Sequence, residues 1–138
     1  MKRSTFTILD ELEKTTDIHR FIADHKDEFF TEPAHVYLGR IMVEKGISGA
    51  QLSVRSGLGN YCYMILSGTR KPSRDAALRL VIGLGLDAER SQQYLRIAQL
   101  ARLDPRSCRD AAILYALGKK LDLIQTQMLL AELGETEL

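Results

Sequence analysis

The side chains best suited to bind a charged partner lie in one short segment, residues 46–74. This segment contains Arg55, Arg70, Lys71 and Arg74 but no Asp or Glu, so its net charge is +4, whereas the whole chain carries only +1. Guanidinium and ammonium groups bind phosphate oxygens, and most hydrogen bonds between proteins and DNA go to the DNA backbone. The segment therefore predicts a surface for a polyanion, although the chain as a whole offers no general attraction to one.

The same segment offers few groups that read base edges. Base readout normally uses Arg, Lys, Asn or Gln, and between the two basic positions Arg55 and Arg70 only Asn60 qualifies. Phenol hydroxyls and apolar contacts to thymine methyl groups are the remaining option, and the amide groups at a helix start near Ala50 can bind a phosphate. The predicted contact residues are Ser48, Gln51, Arg55, Asn60, Tyr61, Tyr63, Met64, Thr69, Arg70 and Lys71. Arg74-Asp75 recurs as Arg109-Asp110 outside the segment, so we interpret it as a structural ion pair, within a helix or at its cap.

The sequence contains no arrangement typical of catalysis or of metal binding. Its three histidines, at positions 19, 25 and 35, lack the spacing of metal ligands. Gly83-x-Gly85 has no third glycine, so it does not match a dinucleotide-binding loop. Cys62 has no histidine near it in sequence and is predicted to be a small packing residue. We therefore expect a protein that is not an enzyme and that uses no cofactor or metal.

Cysteine content and hydropathy predict a cytoplasmic protein without a membrane segment. Cys62 and Cys108 are too few for a disulfide scaffold, which favours a reducing compartment. The N-terminus has no apolar core of a signal peptide, and no apolar run approaches the ~20 residues that span a bilayer.

The elements that must position the basic segment are predicted to be helices. Apolar residues make up 45% of the chain, prolines number only 3, and long amphipathic runs dominate. Residues 5–30 predict one or two short helices with Thr16 as an N-cap, and their apolar positions are Ile18, Phe21, Ile22 and Phe29. Thr31-Glu32-Pro33 predicts the start of the next helix, with Pro33 in its first turn. Leu38, Ile41 and Met42 form its buried stripe and Gly46 ends it.

Helix signals then recur at short intervals through the basic segment. Ser48-x-x-Gln51 is a capping box, Gly57 ends that helix, and Asn60 is predicted to cap a helix that runs to about Leu66. Ser67-Gly68 ends it, and Ser73 caps a fourth helix. A helix, a three-residue turn with glycine and a second helix are typical of a helix-turn-helix. In this alignment Ser53 is the small residue of the helix crossing, Leu52 and Leu58 flank the turn, and Tyr63 and Leu66 lie on the inner face of the third helix.

The C-terminal half contains an internal repeat. Residues 74–95 and 109–130 align without gaps at an offset of 35, with nine identities in 22 positions that include Arg-Asp-Ala-Ala, Leu-Asp and one glutamine. Each copy predicts a helix, a glycine stop at Gly83 or Gly118, an aspartate N-cap and a second helix. We expect two stacked helical hairpins that bury Leu78, Val81, Ile113 and Leu117.

Residues 34–86 resemble the Cro/CI-like (Xre) helix-turn-helix transcriptional regulators. The stretch "YCYMILSGTRKPSRD" looks especially like a subgroup with a Y-x-Y-x-I-x-x-G-x-R-x-P-S-R-D block and a further helical pair, which extends the resemblance from Ala34 to Gly134. The resemblance implies an all-α, lambda-repressor-like domain that places its third helix in the major groove of double-stranded DNA, usually as a homodimer on a two-fold site. The expected organisation is an N-terminal helical segment at 1–31, a DNA-binding domain at 32–103 and a C-terminal helical hairpin at 104–138 on the same body.

Two departures from this family leave alternatives open. The segment between Gly57 and Gly68 is one residue shorter than usual, so the register of Tyr61, Tyr63 and Met64 is uncertain by one residue, or about 100° around the helix. The third helix is also poor in base-reading side chains. A sequence-specific regulator is the first interpretation. The alternative is a protein-interaction module whose third helix docks a partner protein through Tyr61, Tyr63, Met64 and Ile65.

Overall fold

A computed structural model of the protein describes residues 4–26 and 32–138. The chain divides into two compact units, Met1–Thr31 and Glu32–Leu138. Across the described residues all regular structure is helical, which confirms the all-α prediction. The helices are α1 (Thr5–Lys14), α2 (Ile18–Asp24), α3 (Ala34–Lys45), α4 (Gly49–Ser56), α5 (Asn60–Leu66), α6 (Arg74–Gly83), α7 (Ala88–Ile97), α8 (Cys108–Gly118) and α9 (Leu123–Glu132).

The first unit contains α1 and α2, joined by a side-chain contact. The N-cap of α2 is Asp17 and not Thr16, because the Asp17 carboxylate accepts hydrogen bonds from the amides of His19 and Arg20. The imidazole of His25 pairs with the Glu11 carboxylate of α1. The ring of Phe21, which is buried, stacks on that imidazole at a centroid distance of 4.1 Å. Two of its predicted apolar neighbours, Ile18 and Ile22, are about half exposed, and Phe29 lies outside the described residues.

The second unit begins with α3, whose start differs from the prediction by one position. Pro33 is the N-cap, in an extended conformation, and its carbonyl accepts hydrogen bonds from Val36 and Tyr37. Leu38 and Ile41 are buried as predicted, Met42 only in part, and Tyr37 joins them at 7% exposure. Gly46 ends the helix with φ of 66°, a left-handed conformation that glycine adopts without steric cost.

The predicted helix, three-residue turn and helix correspond to α4, residues 57–59 and α5. Ser48 and Gln51 form the predicted capping box, and Gly57 ends α4 with φ of 65°. Asn60 is not the cap of α5. Gly59 takes that place with φ of 59°, and its carbonyl accepts hydrogen bonds from the Ser53 hydroxyl and the Cys62 amide. The short turn thus uses backbone groups where a side-chain cap was predicted.

The structure resolves the register of α5. Cys62 and Ile65 point into the core at 0% and 2% exposure, while Tyr63 and Met64 are exposed at 47% and 38%. The prediction that Tyr63 lies on the inner face is therefore wrong. Ile65 is also wrong as a docking residue for a partner protein, because it is buried. The observed register of α5 differs from the predicted one by one residue, which is a rotation of about 100° around the helix.

The turn between α4 and α5 is held by α6. The Arg79 guanidinium of α6 donates a 2.9 Å hydrogen bond from Nε to the Ser56 carbonyl at the end of α4. Further along α6, a Cβ at Gly83 would lie 3.0 Å from Leu52 and 3.2 Å from the Ser56 amide nitrogen. The absence of a side chain at Gly83 therefore permits the close approach of α4 and α6.

Each copy of the internal repeat contains two helices, α6 and α7 in the first and α8 and α9 in the second. All four predicted core residues, Leu78, Val81, Ile113 and Leu117, are buried. Asp87 and Asp122 cap the second helix of each pair. The predicted glycine stops are wrong, because Gly83 and Gly118 are still helical, and the left-handed residues two positions later are Gly85 and Lys120.

The two copies exchange their arginine–aspartate ion pairs. Arg74 binds Asp110 at 2.9 Å, and Arg109 binds Asp75 at 3.0 Å. The prediction of a pair within one helix is therefore wrong, because each guanidinium reaches the aspartate of the other copy. This reciprocal pattern is that of a two-fold relationship, in which the same patch occurs on both partners. Each arginine also donates to backbone carbonyls, Arg74 to Ala101 and Arg102 and Arg109 to Thr136 and Glu137.

Candidate nucleic-acid interface

The start of α4 presents backbone amides close to the outer face of α5. The Ser48 and Gln51 side chains bind each other's backbone amides at 3.1 and 2.9 Å, so their polar groups stabilise the helix start. A Cβ at Gly49 would lie 3.2 Å from the Tyr63 ring, which places that half-exposed ring against the first residue of α4. The predicted helix start and the predicted base-reading face therefore adjoin.

The segment after α5 is folded back onto the end of that helix. The Met64 carbonyl accepts hydrogen bonds from the amides of Thr69 and Arg70 at 3.0 and 3.2 Å, and the hydroxyl groups of Ser67 and Thr69 are 2.8 Å apart. Gly68 has φ of 80°. Arg70 therefore follows α5 in a turn with a defined hydrogen-bond pattern, and its side chain is exposed.

Tyr61 anchors the next part of this segment. Its hydroxyl donates to the Lys71 carbonyl at 3.2 Å and accepts from the Ser73 amide at 3.4 Å. These contacts fix the backbone at Lys71, whose side chain is exposed. The Tyr61 hydroxyl thus has an intramolecular role, in addition to its predicted place among the DNA contacts.

Part of the positive charge of the basic segment is paired within the fold. Arg74 is paired with Asp110, whereas Arg55, Arg70 and Lys71 are exposed and have no ion-pair partner within residues 4–26 and 32–138. Five other arginines of the described ranges are paired with carboxylates, namely Arg20, Arg40, Arg90, Arg106 and Arg109. The cations without such a partner thus include three from the acid-free segment.

The structure separates Arg55 from the other two cations. Arg55 lines a cavity with Asp122 and Ile124 of the second helix pair. Arg70 and Lys71 line a different cavity, with residues of α3, α5 and α7. We use the name α4–α5 surface for Gly49, Tyr63, Met64, Thr69, Arg70 and Lys71. Asn60, at the first position of α5, is exposed as well.

Two features of the site carry no signal in the sequence. The His35 ring of α3 covers Gly68, where a Cβ would lie 2.7 Å from it. The Tyr94 hydroxyl of α7 is buried beside this segment and has no hydrogen-bond partner in the described part of the chain. Both features depend on how the helices pack against one another. The sequence indicated the repeat and the N-cap of α7, but not which residues lie against that helix.

Reactive chemistry is not favoured at this site. Burial raises the pKa of the Cys62 thiol, although a hydrogen bond with Ser56 opposes it, so the nucleophilic thiolate is disfavoured. The described ranges contain no cluster of three or more His, Cys, Asp or Glu side chains that could hold a metal ion. No helix in these ranges is long and apolar enough to cross a bilayer.

No protein-family model, no curated protein and no solved structure matches this chain. The resemblance to Cro/CI-like regulators and the lambda-repressor-like arrangement of α3 to α7 therefore stay predictions.

Proposed function

We propose that this protein is a DNA-binding transcriptional regulator of the Cro/CI-like type, with α4 and α5 as its helix-turn-helix. The observation that carries the proposal is the acid-free segment 46–74, which places two exposed cations without a carboxylate partner, Arg70 and Lys71, beside the outer face of α5. Duplex DNA is a polyanion, and contacts of this kind supply most of the affinity that does not depend on sequence.

Each part of the α4–α5 surface has a role in this proposal. The amides at the start of α4 and the side chains of Thr69, Arg70 and Lys71 bind phosphates and set the position of the protein. Asn60, Tyr63 and Met64 face the bases, and sequence preference that exceeds these contacts comes from DNA shape. Arg55 lies apart from this group, so we assign it a smaller contribution than Arg70 or Lys71.

We further propose a homodimer on a two-fold DNA site, in the cytoplasm, without enzymatic activity or a cofactor. A selection from random duplex DNA tests this arrangement directly. A palindromic preferred site, together with a dimeric mass in sedimentation on that site, is the expected result. A single asymmetric half-site bound by one protomer contradicts the homodimer.

The central test compares two charge-matched double variants. Arg70→Ala with Lys71→Ala should weaken binding to all duplex sequences alike, because phosphate contacts carry no sequence information. Arg102→Ala with Lys119→Ala removes the same charge from exposed positions elsewhere, and it should bind like the parent protein. Fluorescence anisotropy with labelled duplexes at several salt concentrations measures both.

The salt dependence gives a second readout of the same test. Four phosphate contacts per subunit predict a slope of log K against log salt of about −3 to −4, and the loss of two contacts should reduce it by about 2. Absence of binding to a pool of genomic fragments at about 50 mM salt, with the helical content intact, would overturn the proposal.

The exposure of Tyr63 and Met64 favours one alternative function, the docking of a partner protein on α5. In that case Met64→Asp abolishes capture of the partner in a pull-down and leaves the thermal midpoint nearly unchanged, because the side chain is 38% exposed. If Met64→Asp instead unfolds the protein, this alternative loses its basis. DNA binding that survives Met64→Asp with altered sequence preference supports the regulator.

A further inference from the structure

One face of α6 packs against α4, and the internal repeat gives α8 an equivalent face. Gly83 of α6 lies against Leu52 and the backbone of α4, and Leu80, three residues earlier on α6, is fully buried. At the offset of 35, these two residues of α6 correspond to Gly118 and Tyr115 of α8. The repeat therefore identifies a position on α8 where a further helix can pack.

This face of α8 is uncovered in the part of the chain that the structure describes. A Cβ at Gly118 would meet nothing within 4 Å, whereas a Cβ at Gly83 would lie 3.0 Å from Leu52. Tyr115 is 56% exposed, while its equivalent Leu80 is 0% exposed. The second copy thus has a helix-packing position that no helix of the second unit occupies.

The uncovered face is apolar at positions where the first copy uses polar groups. Leu114 of α8 replaces Arg79, whose guanidinium donates to a carbonyl of α4. Met128 of α9 replaces Gln93, whose side-chain oxygen accepts from the Tyr37 hydroxyl of α3. We use the name α8–α9 face for Ala111, Leu114, Tyr115, Gly118 and Met128. Exposed apolar residues that lie together typically mark an interaction surface, and this one favours an apolar partner.

The two ends of the α8–α9 helix pair carry opposite charge. The turn between the helices, residues 119–122, contains two lysines and one aspartate, so its net charge is +1. Residues 132–138 contain three glutamates and no cation, so their side chains carry −3. They lie at the other end of the pair, beside the start of α8, where Arg109 donates to the Glu137 carbonyl and pairs with Asp75. Antiparallel packing of two such pairs brings the positive end of each against the negative end of the other, whereas parallel packing brings like charges together.

An antiparallel pair of α8 helices also matches small residues with each other. When a two-fold axis passes between Leu114 and Tyr115, Gly118 of each helix faces the partner's Ala111. Each Tyr115 then lies beside the partner's Leu114. An axis at Gly118 would instead bring the lysines of both protomers together. The middle of α8 is therefore the position of the axis that satisfies both packing and charge.

We propose that the α8–α9 face packs on the same face of a second copy of this chain, with the two α8 helices antiparallel. A two-fold contact uses one patch on both partners, so the patch must be self-complementary, as this one is. The inference specifies the homodimer of the proposed function and rests on it to that extent, but the contact forms in the free protein. A helix of 11 residues is ~16 Å long and a helix pair is ~20 Å wide, so the interface lies near the low end of specific interfaces.

Sedimentation velocity of the free, full-length protein without DNA is the direct test. We expect a reversible monomer–dimer equilibrium with a dissociation constant on the order of 10 µM, since the interface is small. A protein that stays monomeric from about 1 to 200 µM would overturn the proposal.

Two matched substitutions locate the contact. Tyr115→Glu places a charge in the centre of the α8–α9 face, and it should raise the dissociation constant of the dimer at least about tenfold. Val43→Glu places the same charge at an 84% exposed apolar position on α3, and it should leave the dimer unchanged. Equal effects of the two variants would overturn the proposal. Circular dichroism first shows that both variants keep their helical content.

Gly118→Leu separates a specific helix crossing from general apolar association. The new side chain has open space within one protomer, so the thermal midpoint should not fall. It collides with the partner's Ala111, so the dissociation constant should rise at least about tenfold although the variant is more apolar. Tighter association of Gly118→Leu than of the parent protein would overturn the proposed crossing.

Disulfide trapping tests the register. Cys62 is buried and Cys108 is exposed, so Cys108→Ser removes the accessible thiol. In this background, a mixture of Ala111→Cys and Gly118→Cys proteins should form a linked dimer on mild oxidation. Neither variant alone should do so, because the same position of the two protomers is about 10 Å apart along the helix axis, beyond the ~7 Å between Cα atoms that a disulfide spans. No link in the mixture, or equal linking of one variant alone, would overturn the antiparallel arrangement.

DNA binding is measured separately by fluorescence anisotropy. If the free protein dimerises, Tyr115→Glu is monomeric and no duplex is bound, the interface stands and the proposed function fails. If duplex DNA is bound but the free protein is monomeric, the interface fails while the DNA-binding function remains.

Discussion

At the scale of single residues, the described arginines include some that bind groups of other helices and some that are exposed without an ion-pair partner in the described ranges. Arg74, Arg79 and Arg109 each reach another element and donate to its carboxylate or carbonyl groups. Arg70 and Arg74 lie in the same basic segment. Arg74 has a carboxylate partner, whereas Arg70 is exposed and has none among the described residues. The net charge of a sequence segment therefore includes cations that are already paired within the fold.

The pair Arg74→Ala and Arg70→Ala tests this separation. Arg74→Ala should lower the free energy of unfolding by roughly 1.5–3 kcal/mol, because it leaves the buried Asp110 without its charged donor. Arg70→Ala should change it by less than about 0.5 kcal/mol, since the side chain is exposed without an ion-pair partner among the described residues. Urea denaturation at neutral pH measures both, and equal effects would contradict the assignment.

The difference between these variants should depend on pH. Burial acts to raise the pKa of Asp110, but hydrogen bonds from Arg74 and from the Asp104 amide, with the charge of Arg74, lower it overall. A lowered pKa in the folded state means that the stabilisation is fully present above the unfolded value of about 3.9. It is lost as pH falls through the lower folded value. The difference in stability between the two variants should therefore begin to shrink as pH falls below about 4 and be smallest below the lowered folded pKa.

At the scale of helices, the repeat shows how one sequence pattern serves two environments. Gly85 and Gly134 end their helices in the left-handed conformation, while the equivalent positions of the other copy hold Lys120 and Gln99 in the same conformation. Gln92 and Gln127 each bind both backbone groups of a residue eleven positions later, Leu103 or Leu138. The identical residues thus preserve contacts between segments within each copy.

The equivalent glycines of the two copies provide a matched prediction about helix packing. Gly83→Ala should destabilise the protein by about 1–3 kcal/mol, because its Cβ would meet Leu52 and the backbone of α4. Gly118→Ala, at the same position of the second copy, has nothing within 4 Å of its Cβ and should be neutral or stabilising by up to about 1 kcal/mol. Thermal denaturation ranks the two variants, and the opposite order would show that α4 and α6 do not approach at Gly83. Because α4 belongs to the proposed DNA-binding surface, Gly83→Ala should also weaken DNA binding.

At the scale of the whole molecule, the second unit links α4 and α5 to the C-terminal helix pair. One hydrophobic cluster contains Leu38 of α3, Leu52 of α4, Ile65 of α5 and Leu130 of α9. The reciprocal arginine–aspartate pairs join the two copies of the repeat at their first helices. We therefore expect residues 32–138 to unfold as one cooperative body.

Ile113→Ala tests this cooperativity from the side remote from the proposed DNA contacts. Ile113 is fully buried in α8, so the loss should be about 2–5 kcal/mol, whereas Ile124→Ala at 71% exposure serves as the matched control with little effect. Four of the five tyrosines lie in α3, α5 or α7, and the chain has no tryptophan, so tyrosine fluorescence reports on that region. Its transition should shift together with the circular dichroism transition. A fluorescence transition that stays in place would show two independent bodies.

Much of the local structure was predictable because it depends on residues a few positions apart. The Ser48 capping box, the Gly57 stop and the Asp122 cap are set by hydrogen bonds within one helical turn, and all three are confirmed. The repeat was visible because its caps and core positions recur at an offset of 35. At Thr16, Pro33 and Asn60 the error is a single residue, because neighbouring groups compete for the same amides. At Gly83 and Gly118 the predicted stop lies two positions before the left-handed residue.

The sequence by itself therefore determined that the chain is helical, where most of its helices begin and end, and that positive charge gathers around one short turn. Only the tertiary structure decided which cations remain available. It exchanged the partners of Arg74 and Arg109 between the copies, and it tied the Tyr61 hydroxyl to the backbone at Lys71. It also buried the Tyr94 hydroxyl without a hydrogen-bond partner among the described residues. The physical reason is the separation in sequence of the interacting residues. Caps and helix stops depend on residues within one helical turn, whereas these contacts join residues that only the packing of helices brings together.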